Sequence, residues 1–436
     1  MRAAAWITLY LAIVALPMLV LFLGDVPPGV AFWWDLSKAL GFASVSMIGV
    51  QFVLTGRFRA PAYPFGIDII YYLHRWLAIF AALLAFAHFA IMWLLYEDAL
   101  GVINPLVAPW YMTLGRVGLV CFILAVVTSE WREGLRLKYE LWRVLHILLA
   151  VVGFLAAIAH ILGVGYYTAA PTTRALWLSM TLSWMLLVIW VRLVRPAIQR
   201  QRPYRVRKVR DEAGAVSTLV LAPDGHRGLA GFQPGQFVWL TLARSPFAIR
   251  EHPFSISSAP HQLPEVALTI RELGDFTETI PEVREGEIAY LDGPFGIFSH
   301  HRLPRAPGFV FIVGGVGVTP VISMLRAMAH EGEKRPLWMF YANPDIDSVI
   351  FHEELDDLAG KLDLDLVHIL QEPPEDWTGE TGMLTEEMLT EHLPGESVGK
   401  LHYFLCGPPP MLEAAEEHLA DLGVPRRHIH VEIFDL

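Results

Sequence analysis

Four histidines lie in two long apolar stretches of the first two hundred residues, which contain no other histidine. His74 and His88 belong to the first stretch and His146 and His160 to the second, and each pair is fourteen residues apart. At about 100° per residue, fourteen steps return to within roughly 40° of the starting direction, so each pair faces one side of its helix. The rise of about 21 Å spreads the two imidazoles across most of a hydrocarbon core of about 30 Å.

Two helices of this kind offer an upper and a lower pair of imidazoles, which is the ligand set of two stacked haems with one histidine from each helix on each iron. Ionisable groups at membrane depth are functional by default. The alternatives are interhelical hydrogen bonding, a proton path, or another metal site. Because both axial positions of each iron would be filled, such haems would transfer electrons, and the acceptor would be reduced at the outer haem edge.

The composition limits the class of protein. The 436 residues are 54% hydrophobic, and the apolar residues are concentrated before about residue 198. The net charge of −11 reflects an acidic excess after that point, so no nucleic-acid partner is implied. The two cysteines, Cys121 and Cys406, lie far apart, which excludes a disulfide framework and a cysteine-rich zinc or iron–sulfur site.

Six apolar stretches are near the roughly 20 residues that a membrane span requires. They cover residues 5–23, 30–54, 69–96, 111–129, 141–162 and 175–194. The first could be a signal peptide, but its apolar run exceeds the usual length of about 7–15 residues, which favours a retained helix. The sequence therefore predicts a six-helix bundle in the lipid bilayer over residues 1–198.

Basic residues mark the cytoplasmic loops. They follow the second, fourth and sixth spans, whereas the opposite loops are mainly acidic. The positive-inside rule therefore predicts an integral protein of the plasma (inner) membrane, with both termini and the soluble half in the cytoplasm. His74 and His146 then form the inner site, and His88 and His160 form the outer site.

Three arginines lie near these sites in the sequence. Arg75 and Arg143 adjoin the inner histidines, where they suit haem propionates and membrane anchors equally well. Arg116, at the outer start of the fourth span, is a weaker candidate for the outer propionates or an anionic product.

The soluble half changes pattern near residue 305. Residues 199–304 hold short alternating strands broken by glycine and proline, which predicts an antiparallel β-barrel. Residues 305–436 alternate strands with helices, which predicts a doubly wound parallel sheet. There the segment GGVGVTP, at residues 314–320, follows a buried strand and opens a helix, the arrangement that lets a backbone approach a pyrophosphate.

Further short motifs follow one another in a set order: HPFS at 252–255, GDFT at 274–277, GPFG at 293–296, GGVGVTP, CGPPPM at 406–411, and a terminal aromatic in VEIF. With the paired membrane histidines before them, they resemble the NADPH oxidase/ferric reductase family, whose soluble half is similar to the ferredoxin–NADP reductase superfamily. The resemblance covers nearly the whole chain and implies an FAD-binding barrel before a nicotinamide-binding domain.

The resemblance also implies roles for individual residues. The flavin would be held by His252, Pro253, Phe254 and Ser255, with Ser255 near its reactive nitrogen, and by the turn residues Gly293, Pro294 and Gly296. The FAD pyrophosphate would be contacted by Gly274, Asp275, Phe276 and Thr277. The phosphates of the nicotinamide dinucleotide would be held by Gly314, Gly315, Gly317, Thr319 and Pro320. The nicotinamide would be bordered by Cys406, Gly407 and Pro408, and the flavin ring covered by Phe434. The residues implied to act in the reaction are Ser255, Cys406 and Phe434.

Other interpretations remain open for these residues. Phe254 and Phe434 could be core aromatics, Cys406 a small buried hydrophobe, and Ser255 or Asp275 a turn residue. Two residues follow Phe434, whereas many relatives end at the aromatic. His252 stands where many soluble relatives have arginine and where the membrane members often have histidine.

The nicotinamide preference depends on the residues after the second strand of the last domain. A 2′-phosphate requires arginine or lysine there. This chain has Pro344 and Asp345, which favours NADH, although Arg326, Lys334 or Arg335 could still reach a 2′-phosphate.

The pattern and the resemblance together predict electron transfer across the membrane, from cytosolic NAD(P)H through FAD and two b-type haems. The acceptor outside would be a ferric chelate, or dioxygen giving superoxide. No segment resembles a calcium-binding or interaction module, so we expect no obligate cytosolic activator. Two alternatives are a flavin reductase merely anchored by its helices and a haem-binding redox sensor.

Overall fold

The fold is taken from a computed structural model that describes residues 2–23, 29–58, 66–248 and 250–433. The chain divides into two compact units, Met1–Ala197 and Ile198–Leu436. The division falls at the change from apolar to ordinary composition, close to the boundary predicted at residue 198.

The first unit is helical. Its helices are α1 (Arg2–Leu23), α2 (Phe32–Leu54), α3 (Ile67–Leu95), α4 (Glu97–Leu100), α5 (Trp110–Glu130), α6 (Tyr139–Val164), α7 (Pro171–Ile189) and α8 (Arg195–Gln199). A single π-helical turn, Trp190–Val194, joins α7 to α8. Within the described ranges, six helices are long and apolar enough to cross a bilayer, with α7 and α8 forming one span. The six predicted spans are thus confirmed.

Small residues let neighbouring membrane helices approach closely. A Cβ added to Gly153 of α6 would lie 2.8 Å from the Cβ of Cys121 in α5, and one added to Gly118 of α5 would lie 3.1 Å from the carbonyl oxygen of Gly153. Such interfaces are typical of membrane helices, which associate by close packing. Ser44 of α2 donates to the carbonyl of Ala81 in α3 at 2.7 Å. Each histidine-bearing helix, α3 and α6, therefore has a closely packed neighbour.

The second unit begins with an antiparallel sheet of six strands. They are β1 (Tyr204–Glu212), β2 (Val216–Pro223), β3 (Phe237–Leu242), β4 (Glu251–Ser255), β5 (Val266–Arg271) and β6 (Ile288–Phe295). The strand order is β4-β3-β6-β1-β2-β5, and a bridge between Ile256 and Leu268 joins the two edge strands. The sheet is thereby closed into the predicted barrel, whose interior is filled by alternate apolar side chains such as Leu219, Leu221 and Leu240.

A parallel sheet follows, with helices on both faces. Its strands are β7 (Phe309–Gly314), β8 (Leu337–Asn343), β9 (Leu364–Leu370), β10 (Glu380–Thr381), β11 (His402–Cys406) and β12 (Ile429–Glu432), and its helices are α9 (Val318–Glu331), α10 (His352–Ala359), α11 (Glu386–His392) and α12 (Pro409–Asp421). In the order β10-β9-β8-β7-β11-β12, the strands that follow β7 in the chain are first added on one side of it and then, from β11 onwards, on the other. Ligands of such sheets bind beyond the carboxyl ends of the strands at the reversal, here between β7 and β11.

Candidate functional site

The four membrane histidines form two facing pairs. His74 of α3 lies opposite His146 of α6, with ring centres 6.2 Å apart, and His88 lies opposite His160, with ring centres 6.4 Å apart. Two metal–imidazole bonds of about 2.0 Å, with about 1.1 Å from each nitrogen to its ring centre, give about 6.2 Å. The spacing of both pairs therefore fits one metal ion between two axial imidazoles, as in a bis-histidine haem.

Each histidine uses its Nδ1 atom for a hydrogen bond away from the opposite ring. Nδ1 of His88 lies 2.8 Å from the carbonyl oxygen of Ser37, and Nδ1 of His160 lies 3.0 Å from that of Tyr111. Because a carbonyl only accepts, these two Nδ1 atoms carry the proton and Nε2 keeps its lone pair. Nε2 is the atom left to bind a metal, which is how metal-binding histidines are oriented.

The inner pair is held by side chains. Nδ1 of His74 lies 2.8 Å from Oε1 of Gln51, and Nδ1 of His146 lies 3.2 Å from Oγ of Ser129. Ser37 and Gln51 both belong to α2 and are themselves fourteen residues apart. The sequence prediction missed these partners, although a serine and a glutamine repeating the histidine spacing in an apolar span is a readable signal.

A cavity that is partly open to its surroundings lies beside the outer pair. Its lining includes both outer histidines and two cations, Lys38 and Arg116. Gly115 leaves room for the ring of His160, since a Cβ added at position 115 would lie only 2.6 Å from Nδ1 of His160. The cavity thus brings two facing imidazoles together with two basic side chains, the type of group that binds carboxylates. The guanidinium of Arg116 also donates to the carbonyl oxygens of Leu100, Val102 and Ile103. Lys38 was not predicted.

Arg75 has a carboxylate partner within the chain. Its Nε and Nη2 atoms donate to the two carboxylate oxygens of Glu130 at 2.9 and 2.6 Å, and its side chain is 59% exposed. The contact ties the ends of α3 and α5 together, which favours the structural interpretation of Arg75. Arg143 is buried, and its propionate role stays a prediction.

In the second unit, the fold brings HPFS and GDFT together. The ring of His252 stacks on Phe276 with centres 4.1 Å apart, and Phe254 lies parallel to the same ring at 6.1 Å. Thr277 shapes the GDFT turn, because its Oγ1 accepts from the backbone N–H groups of Leu273 and Gly274. Asp275 is exposed at the tip of this turn, and Pro253 pairs with Trp239 in β3.

Ser255 carries a hydroxyl that the protein itself leaves unsatisfied. The residue is 5% exposed, and Oγ has no hydrogen-bond partner among the residues whose positions are described. Buried polar atoms nearly always have a partner, so this one is suited to a bound polar group such as a flavin nitrogen. The GPFG turn lies nearby, at the end of β6: Gly296 adopts φ 99°, and Phe295 pairs with Phe237 of β3, the residue that also pairs with Ser255. Gly293 and Pro294 precede it in the same strand.

The dinucleotide loop lies at the reversal of the parallel sheet. Gly315–Gly317 forms one 3-10 turn between β7 and α9. A Cβ on Gly314 would lie 2.7 Å from Sδ of Met411, and one on Gly407 would lie 3.1 Å from the backbone nitrogen of Gly314. The loops after β7 and β11 therefore touch, which places GGVGVTP beside Gly407 and Pro408.

Two residues near this loop were not predicted from the sequence. Arg271 ends β5, and its Nη1 would lie 3.5 Å from a Cβ on Gly315, so a cation faces the loop. Tyr341 donates to the carbonyl of Gly315 at 3.1 Å and fixes the turn from below. By contrast Thr319 is buried and donates to Val316, and Pro320 is buried with it, so both shape the loop.

Cys406 is fully buried in the sheet core. Burial, with a smaller contribution from Glu432, raises the pKa of its thiol well above the ordinary value. The thiol is therefore protonated and poorly nucleophilic at neutral pH. Its place beside the nicotinamide stays a prediction, and Phe434 lies outside the described residues.

Models of three protein families match successive parts of the chain. A ferric reductase like transmembrane component matches residues 40–158, an FAD-binding domain matches 224–289, and an oxidoreductase NAD-binding domain matches 311–417. FAD- and NAD-binding domains are therefore present after a ferric reductase-like membrane domain.

Curated relatives match the second unit. Ferredoxin--NADP reductase B of Sorangium cellulosum is 33% identical over 211 residues, which are 47% of this chain and 86% of the relative. NADH-cytochrome b5 reductase 1 of Cryptococcus neoformans is 34% identical over 163 residues, 35% of this chain and 55% of the relative. The chain thus spans about half the length of such cytochrome b5 reductases. Among solved structures, the flavohaem-like FAD/NAD-binding domain of nitric oxide dioxygenase from Vibrio cholerae aligns with a TM-score of 0.48 and 23% identity, over 53% of this chain and 98% of that one.

Proposed function

Since the chain belongs to the ferric reductase/NADPH oxidase family, we propose that it is a membrane NAD(P)H oxidoreductase that delivers electrons through FAD and two bis-histidine haems to an acceptor across the bilayer. The observation that carries the proposal is the pair of imidazole gaps, 6.2 and 6.4 Å between ring centres, at two depths of one bundle. A flavin supplies the step from two-electron to one-electron chemistry, and haem iron supplies one-electron carriers within the membrane.

The residues of the chain position these groups. His74 and His146 would hold the inner haem and His88 and His160 the outer one, each imidazole oriented by its Nδ1 hydrogen bond. Ser255 would donate its hydroxyl to the flavin, and the loop 314–317 would take the dinucleotide phosphates at the start of α9.

The acceptor is proposed to be a ferric chelate, or dioxygen that is reduced to superoxide. Lys38 and Arg116 support an anionic chelate, because two cations line the cavity at the outer pair. The basic loops support a plasma (inner) membrane protein whose termini and second unit lie in the cytoplasm. No obligate cytosolic activator is part of the proposal.

For the donor, we propose NADH in preference to NADPH. Asp345 follows β8, and its Oδ1 accepts from the backbone nitrogen and the hydroxyl of Ser348, both at 2.8 Å. Arg326 is held by Glu354, and Arg335 by Glu333, so neither guanidinium is free for a 2′-phosphate. The curated relative from Cryptococcus neoformans also bears NADH in its name.

Replacing Asp345 with arginine is expected to move the ratio of kcat/KM values towards NADPH by at least about tenfold, because a charge-assisted hydrogen bond contributes about 1.5–3 kcal/mol. Initial rates with NADH and NADPH measure the ratio. Asp345→Asn is the matched control: it keeps an oxygen for Ser348 without adding a cation and should favour NADPH less. An unchanged ratio in Asp345→Arg would show that the 2′ position lies elsewhere.

One spectroscopic experiment tests the function against its alternatives. Purified anaerobic protein is mixed with NADH, and the haem Soret band is followed in a stopped-flow spectrometer. The proposal requires haem reduction that follows flavin reduction. A merely anchored flavin reductase would reduce its flavin with no haem response, and a haem-binding sensor would bind haem that NADH does not reduce.

A further inference from the structure

Two histidines and a glutamate meet away from the flavin and nicotinamide residues. His300 and His301 begin the short 3-10 turn His300–Arg302, between β6 and β7, and Glu331 is the last residue of α9. One ligand atom from each of the three lies within 4.8 Å of the others. The turn and the helix end are thirty residues apart in sequence, so the fold creates this cluster.

His300 is the member that an ordinary surface ion pair does not explain. It is 2% exposed, and both ring nitrogens lack a hydrogen-bond partner within the described part of the chain. The ring packs against Phe309 and His301, with centres 6.0 and 4.4 Å away. A buried imidazole nearly always donates or accepts, so a ligand that binds its nitrogen is missing from the protein's own contacts.

We propose that His300, His301 and Glu331 form a Zn²⁺ site, with water in the fourth position. Two histidines and one glutamate are an established zinc ligand set, and bonds of about 2.0–2.1 Å place tetrahedral ligand atoms about 3.3 Å apart. Nε2 of His301 already lies 3.1 Å from both carboxylate oxygens of Glu331. Among divalent ions, zinc binds nitrogen and oxygen ligands more tightly than iron or manganese does.

The charges around the cluster permit a cation. Arg335 is close enough to His300 for their charges to interact. Because Arg335 is paired with Glu333, its charge is compensated. His301 and Glu331 are exposed, with 32% and 48% of their side chains accessible, which gives an ion an entry path.

The bound ion would fasten the segment that leaves the barrel to the far end of α9, the helix whose first turn carries the dinucleotide loop. α9 already contacts the barrel near its middle, where Ser323 donates to the carbonyl of Ser258 at 2.7 Å and Arg326 to that of Ser257 at 2.6 Å. Zinc would add a third connection at the helix end. The site shares no residue with the proposed electron path and stands independently of it.

The test uses the full-length protein, purified in detergent with an affinity tag that contains no histidine. The protein is stripped with a chelator, equilibrated with Zn²⁺ alone, and assayed for zinc per chain by mass spectrometry. We expect one bound zinc per chain. His301→Gln or Glu331→Gln should lower the zinc affinity by more than the roughly tenfold to hundredfold that loss of an outer-shell group costs. Both altered side chains are exposed, so the variants should fold, and unchanged haem and flavin spectra verify this.

His392→Gln is the matched control. His392 also lies near two carboxylates, but on opposite ring nitrogens, 3.3 Å from Asp365 and 3.6 Å from Glu380, so its ligands do not converge. The His392→Gln variant should bind zinc with the same stoichiometry and affinity as the unaltered protein. Zinc should also raise the melting temperature of the unaltered protein and leave that of His301→Gln unchanged. Equal zinc affinity in the unaltered protein and both cluster variants, or no bound zinc at all, would overturn the proposal.

Discussion

Replacing His88 with leucine is expected to halve the haem content and nearly abolish reduction of an external acceptor. Leucine fills a similar space but provides no lone pair opposite His160, so the outer pair loses one of its two ligands. The loss of acceptor reduction should exceed the roughly 10–100-fold effect of removing an outer-shell partner of a metal ligand. Haem per protein is measured by the pyridine haemochrome method, and acceptor reduction with ferric citrate.

NADH-dependent reduction of a soluble dye provides the internal standard, because the flavin and nicotinamide residues lie in the second unit and should keep their activity. Phe80→Leu, on the same helix with 52% of its surface exposed, is the control for a change of α3 alone. His160→Leu should reproduce the defect, and combining it with His88→Leu should add little. Full haem content in all three histidine variants would refute the ligand assignment.

Replacing Ser255 with alanine should slow flavin reduction by NADH by about 100-fold or more, since removing one preorganised hydrogen-bond donor costs about 10²–10³ in kcat. The same change should leave the stability of the flavin-free protein unaltered or raise it. Its hydroxyl is buried without a partner in the described structure, and such a group carries a penalty of about 1–3 kcal/mol. Stopped-flow absorbance gives the rate, and thermal melting gives the stability.

Ser257→Ala serves as the control, because the opposite effects on stability and on the rate of flavin reduction are expected. Ser257 lies two residues further on, and its Oγ accepts from the hydroxyl of Thr269 at 2.9 Å. Its removal should lower the free energy of unfolding by about 1 kcal/mol and leave flavin reduction nearly unaffected. If Ser255→Ala destabilised the flavin-free protein and left the rate intact, Ser255 would be a structural residue.

Much of the architecture could be predicted because it depends on local patterns. Membrane spans follow from apolar runs, and the structure moves their ends by only a few residues at most points. That His74 meets His146, and His88 meets His160, follows from two spans that run in the same direction with equal spacing. The glycine-rich loop was recognisable because a buried strand precedes it and a helix follows.

The contacts between distant elements could not be predicted in the same way. Arg271 reaches the dinucleotide loop only because the barrel places the end of β5 beside it, and Lys38 reaches the outer pair only because α2 packs on α3. Arg75 looked equally suited to two roles until Glu130, on another helix, proved to be its partner. The proposed zinc ligands lie in two segments that no short motif connects.

The four histidines also differ in which of their hydrogen-bond partners a substitution can remove. Nδ1 of His160 bonds to the main-chain oxygen of Tyr111, which every amino acid supplies, whereas Nδ1 of His88 lies near both the carbonyl oxygen and the hydroxyl of Ser37, at 2.8 and 2.9 Å. Nδ1 of His74 and of His146 bonds to the side chains of Gln51 and Ser129, which single codon changes can replace with stronger or weaker acceptors. For the proposed haem ligands, substitution of Ser37, Gln51 or Ser129 is therefore expected to adjust ligand basicity, and with it reduction potential, whereas the main-chain partner of His160 stays constant.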